Sequence, residues 1–262
     1  MKGTSDMLGA IVGDVVGSAY EFNPVHTTDF DPFPSRSTFT DDSVLTFATA
    51  DVLLHGGSYS DAYRRWGVDY PGRGYGGRFA MWLRDSAMGA YNSLGNGSAM
   101  RVAPVGWAFD SLEETLAEAE KSAACTHNHP EGIKGAQATA TLIFMARKGE
   151  TKAAMKEYVQ KTFGYNLERP LDDVRKTARF DETCPVSVPE AFVAFFESES
   201  FEDAVRNCVS FGADADTQAC IAGAIAEAFG YEIPKEWREK TIAKLDDRLR
   251  ALLKEFENWR RD

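Results

Sequence analysis

Two short acidic motifs carry the chemistry this chain can do. Phe39-Thr40-Asp41-Asp42-Ser43 and Gly212-Ala213-Asp214-Ala215-Asp216-Thr217 each set two carboxylates beside a hydroxyl at a loop-to-helix junction. Carboxylate and hydroxyl oxygens are the hard ligands that magnesium, manganese or calcium select, and the absence of paired Cys or His beside them argues against zinc. Adjacent Asp41 and Asp42 point in different directions, so each motif can serve two ions. Taken singly, either motif reads more simply as helix capping, in which Asp, Ser and Thr satisfy orphan amides. What favours a site is the sequence behind both motifs, "FATA" after one and "ACIAGAIAEA" after the other. Helices this rich in small residues pack closely, and close packing would crowd four carboxylates that need cations to neutralise them.

The elements that must position these groups are helices. From Asp6 to Tyr20, Gly9, Gly13 and Gly17 form a stripe without side chains, four residues apart. Each helix-interior glycine costs about 1 kcal/mol relative to alanine, so three in register predict a surface approached by another backbone or by a ligand. Thr40 to Leu54 reads as a second helix, and Ser60 is expected to cap a third through Trp66. Two glycine-rich loops follow, "DYPGRGYGG" from Asp69 to Gly77 and another from Asn92 to Gly97, both with free backbone amides. Ser111 with Glu114 predicts a capped helix reaching Cys125, and Pro130 opens one continuing to Arg147. Helical spacing returns at Glu150 to Phe163 and, after a polar linker from Glu168 to Thr183, at Ser187 to Glu197, Ser200 to Phe211, Thr217 to Phe229 and Pro234 to Trp259. No segment alternates as a strand does, so the expected fold is all-α.

Composition narrows the partners. The 262 residues are enough for one sizeable domain, taken as 1–262, and 29 basic against 40 acidic side chains leave a formal charge of −11. That field repels polyanions, which disfavours nucleic acid and anionic membranes. Met7 to Val16 is apolar but interrupted by Asp14, with Lys2 the sole nearby cation, so it is not read as a signal peptide and a cytoplasmic protein is expected. Cys125, Cys184, Cys208 and Cys220 lack C-x-x-C spacing and are expected to be reduced thiols. Nothing resembles a coiled-coil seam, so a monomer is expected.

In chain order the motifs are "GAIVGDVVGSAYEF", "FTDDS", "GRGYGG", "GNGSAMR" at Gly95 to Arg101, "THNHPEG" at Thr126 to Gly132, and "GADADT". Together, along nearly the whole length, they resemble the ADP-ribosylglycohydrolase family. The resemblance implies a compact orthogonal all-α bundle with a binuclear magnesium centre, manganese being possible. It also implies cleavage of the bond between the ribose of ADP-ribose and a modified protein side chain or small-molecule conjugate. Carried over by motif, Thr40, Asp41, Asp42, Asp214, Asp216 and Thr217 are the metal ligands. Glu21, ending the first motif, is the candidate for water activation or proton transfer to the leaving group, and Asp41 and Asp214 join it as catalytic candidates. Gly74, Tyr75, Gly76, Gly77, Ser93, Gly95, Asn96 and Gly97 are the substrate-binding candidates, their amides suited to phosphate oxygens, with His127 beside them. Arg101 is read as a structural cation. Leu94 stands where some members carry an adenine-stacking aromatic, leaving Tyr91, Tyr75 or Phe109 as substitutes. Two alternatives accompany this reading: a two-metal hydrolase of another ADP-ribose-like or nucleotide metabolite, and a catalytically inactive crystallin-like member.

Overall fold

The computed structural model describes residues 7–259, and within them every regular element is a helix. Lys2 and Asp6 lie outside the described residues. The helices are α1 (Leu8–Gly17), α2 (Asp41–His55), α3 (Tyr59–Asp69), α4 (Gly77–Arg84), α5 (Gly97–Met100), α6 (Ala103–Ala108), α7 (Leu112–Ala124), α8 (Pro130–Arg147), α9 (Lys152–Phe163), α10 (Leu171–Thr177), α11 (Cys184–Phe196), α12 (Phe201–Val209), α13 (Ala215–Ala228), α14 (Lys235–Lys244) and α15 (Asp247–Trp259). One apolar cluster runs from Met7 to Phe256, and a smaller one under α7 and α8 gathers Val102, Val105, Ala119, Ala123, Ala136 and Ala140. No described helix is long and apolar enough to cross a membrane.

The glycine stripe is where another backbone arrives. Helix α1, buried throughout, lies against the alanine-rich α13. A Cβ added at Gly9 would stand 2.4 Å from the Gly223 carbonyl oxygen, one at Gly13 2.0 Å from that of Ala219, and one at Gly17 2.4 Å from that of Ala215. The small residues behind Asp216 therefore pack on α1, and α2 joins the pair at its N-terminal end. Gly13→Ala must push two backbones apart, and the expected cost is about 3 kcal/mol, the upper part of the overpacking range, or roughly 6–12 °C in Tm. Urea unfolding checks this against Gly89→Ala, where an added Cβ meets nothing within 4 Å. A loss below about 1 kcal/mol at Gly13 would contradict the packing argument.

Several boundaries differ from the sequence expectation for local reasons. Ser58, not Ser60, caps α3, its hydroxyl accepting from the Asp61 amide at 3.0 Å. The glycine-rich loop ends by starting α4 at Gly77, and the polar linker folds one short helix, α10. Helix α11 begins at Cys184 and contains Pro189. The final segment breaks into α14 and α15 where Leu245 turns extended, its side chain buried.

Candidate active site

Asp14 sits in the middle of α1, on the part of the helix that the glycines bring against α13. Its side chain is fully buried and accepts the Thr40 amide at 3.0 Å, the Thr40 hydroxyl at 2.7 Å, the Ser43 amide at 3.1 Å and the Ser43 hydroxyl. This one carboxylate thus ties the first turn of α2 to α1. Thr40 caps α2 in addition, accepting from the Asp42 amide at 3.3 Å. With α13 fixed on α1 by backbone contact, Asp14 registers the two acidic motifs against each other.

Carboxylate oxygens of Asp14, Asp42 and Asp216 come within 4.8 Å of one another, and so do those of Glu21, Asp214 and Asp216. Asp216 belongs to both triads. Neighbours hold these groups in place: the Thr217 amide donates to Asp216 at 2.9 Å, and the Asn96 side-chain amide donates to both Asp214 and the Ser187 hydroxyl, the latter at 3.0 Å. One oxygen of Asp42, Oδ1, is buried without a hydrogen-bond partner. The Thr217 hydroxyl reaches only the Met100 sulfur, at 3.9 Å, leaving its lone pairs available. None of the acidic side chains of this cluster is in an ion pair among the described residues.

The electrostatic consequence is severe. Burial and the proximity of Asp216 push the Asp14 carboxyl up to about 7 and that of Glu21 up to about 9, and the same two causes raise Asp41, Asp42 and Asp214. Burial raises Asp216 as well. A folded chain that keeps this many carboxylates together without basic partners is built for cations.

Apart from Asp14, the cluster lines a cavity of about 250 Å³. Of the residues expected from sequence, Glu21, Asp41, Asp42, Gly74, Gly76, Gly77, Ser93, Gly95, Asn96, Gly97, His127, Asp214, Asp216 and Thr217 line it. Asp41 faces the Gly74 turn, where a Cβ would stand 3.2 Å from its carboxylate and where φ is +97°. Thr40 lies behind the lining, between Asp14 and Asp42. Tyr75 turns away, its hydroxyl donating to the Tyr70 carbonyl at 2.9 Å and its ring stacked on Phe79. Of the three aromatics offered in place of Leu94, Tyr91 reaches the cavity, whereas Phe109 packs on the smaller core cluster.

Two acids of the site stand outside the residues expected from sequence: Asp14, which holds Thr40 and Ser43 behind the cavity, and Glu182, which lines it. Asp14 carries a signal in the sequence, a lone acid inside an apolar glycine-striped helix, but one that speaks only against a signal peptide. Glu182 carries none, since it lies in the polar linker. The structure brings it in by zipping residues 182–184 onto the Leu94 to Asn96 loop: the Asn96 amide donates to the Glu182 carbonyl at 2.7 Å and the Cys184 amide to the Leu94 carbonyl at 2.9 Å.

An all-helical fold with a carboxylate-floored, glycine-rimmed cleft defines a class of helical hydrolases, and the comparisons identify which. The sequence model of the ADP-ribosylglycohydrolase family matches residues 4–262. The chain belongs to that family and is an ADP-ribosyl hydrolase by membership. It is 28% identical to "ADP-ribosylarginine hydrolase Tri1" of Pseudomonas putida, over 89% of this chain and 72% of that protein. It is 25% identical to "ADP-ribosylhydrolase ARH3" of Homo sapiens, over 89% and 87%. A solved structure titled "ADP-ribosylglycohydrolase-related protein complex" superposes with a TM-score of 0.72 at 26% identity, covering 97% of each chain.

Proposed function

We propose that the chain is a magnesium-dependent hydrolase that releases ADP-ribose from a modified protein side chain or small-molecule conjugate. The observation that carries this reading is the meeting of the two acidic motifs around Asp216 on the cavity floor. The donor set fits hard cations: it is all oxygen, Asp42 keeps an unpartnered buried oxygen, and the triads share a member. Asp42, Asp214 and Asp216, with Asp41, Thr217 and Thr40 around them, would hold two magnesium ions, manganese serving as a substitute. Bound there, the cations would orient the ribose hydroxyls and lower the pKa of a water.

The rest follows from the chain's own groups. Glu21, half-buried beside the cavity, is placed to deliver a proton to the departing acceptor atom or to accept one from the attacking water. Gly76 and Gly77 lie open, with nothing within 4 Å of an added Cβ, so their backbone can meet phosphate oxygens directly. The reading includes a single-domain, monomeric, cytoplasmic enzyme. A panel of ADP-ribosylated substrates differing only in linkage, assayed for free ADP-ribose with magnesium and with chelator, tests it. Release on no substrate, or undiminished release in chelator, would refute it.

The raised carboxyls set a pH dependence. Acids whose folded pKa exceeds the unfolded value stabilise the folded state while protonated, and that contribution is lost as pH rises through the folded values, about 7 for Asp14 and about 9 for Glu21. Cations take the deprotonated form, so their stabilisation grows over the same window. Metal-free protein should therefore melt lower at pH 8.5 than at pH 6, and saturating magnesium should raise Tm more at pH 8.5. Differential scanning calorimetry at the two pH values checks this, and an equal magnesium shift at both would count against it.

A further inference from the structure

His127 is buried and lines the cavity. A Cβ added at Gly97 would stand 3.1 Å from its Nε2 and one at Gly95 3.5 Å, so this nitrogen looks between the two loop glycines. Its other nitrogen, Nδ1, lies 2.7 Å from the Thr126 hydroxyl. That hydroxyl also accepts from Arg101 Nη2 at 2.9 Å. Arg101 is fully buried, donates a further hydrogen bond to the Ser122 carbonyl at 2.8 Å and lies over the Tyr63 ring at 4.0 Å.

Counting donors fixes the direction of this chain. A guanidinium only donates, so the Thr126 oxygen must accept from Arg101. The hydroxyl then has one hydrogen to place. Its neighbours are His127 Nδ1 and the sulfur of Cys125, a weak acceptor. The imidazole nitrogen is the stronger acceptor, and using it leaves Nδ1 bare and the ring proton on Nε2. The opposite tautomer would set an N–H and an arginine N–H on the same oxygen and leave the buried hydroxyl hydrogen to sulfur. Burial and the nearby Arg101 also hold His127 neutral, well below the usual histidine range.

We propose that Arg101 and Thr126 are positioning residues that lock His127, already a substrate-binding candidate, in its Nε2–H tautomer, so that it presents one N–H between Gly95 and Gly97 to the bound substrate. The substrate half rests on the function proposed above; the tautomer half does not. A fixed donor of this kind binds the ground state and the transition state alike, so its loss appears in KM rather than in kcat.

The test is a 15N–1H spectrum of the histidine rings in substrate-free protein, with His127 assigned by its disappearance in His127→Gln. The wild type should show protonated Nε2 and bare Nδ1. Thr126→Val should lose that preference and raise KM about tenfold, with kcat within about twofold, and Thr126→Ser should restore both. Protonated Nδ1 in the wild type, or a Thr126→Val protein with unchanged tautomer or unchanged KM, would overturn the proposal. The wild-type spectrum decides even where Thr126→Val does not fold. A chain that releases ADP-ribose from no substrate defeats the functional reading and leaves the tautomer result standing.

Discussion

Asp216→Asn is expected to abolish turnover while leaving the metal-free protein at least as stable as the wild type. Asp216 is the member common to both carboxylate triads, so its loss weakens both places where a cation would sit. Loss of one preorganised charge contact costs about 10²–10³ in rate, and removal of a ligand shared by two ions should exceed about 10³. The stability expectation runs the other way. The substitution keeps an oxygen for the Thr217 amide, yet removes the charge that pushes up Asp14, Glu21, Asp41, Asp42 and Asp214. Steady-state kinetics and melting in chelator measure the two halves. An inactive variant that also melts well below the wild type would mean that Asp216 serves the fold, and near-normal turnover would remove it from the chemistry.

Glu21→Gln should be the second most damaging change. The side chain keeps its size and hydrogen-bonding reach but can no longer exchange a proton, which costs about 10²–10⁴ in kcat for a group acting in general acid or base catalysis. KM should change little, because the loss is felt in the transition state. Comparing substrates with good and poor leaving groups separates the two roles. If Glu21 protonates the acceptor, the variant regains most of its rate on a leaving group that departs unprotonated. If Glu21 activates water, the deficit is the same on both. A variant within about threefold of the wild type on every substrate would exclude either role.

The structure also explains why parts of this site were readable from sequence and others were not. Local chemistry was legible: capping oxygens and hard ligands declare themselves in "FTDDS" and "GADADT", and the glycines of α1 announce a close approach because each carries a helix-propensity cost. The partner of that approach was not legible. The small residues behind the two motifs point to close packing but not to its partner: α13 lies mainly on α1, and α2 is registered through Asp14. A buried acid in an apolar helix has no periodic signature, so its value as the pin between two motifs appears only with tertiary geometry. Glu182 makes the same point from a linker, since what places it is a backbone bridge between Gly95 and Thr183. Tyr75 errs in the other direction, a motif residue whose hydroxyl is spent on the Tyr70 carbonyl. Asn96, expected to hold substrate, uses its side-chain amide to orient Asp214.

Everything proposed for the reaction depends on divalent cations settling where α1, α2 and α13 bring their acids together. Anomalous diffraction from crystals grown with manganese addresses that point most directly. Two peaks are expected, each in contact with Asp216, one on the Asp42 side and the other on the Asp214 side. A map without peaks at those carboxylates, at a manganese concentration that supports ADP-ribose release in solution, would contradict the account.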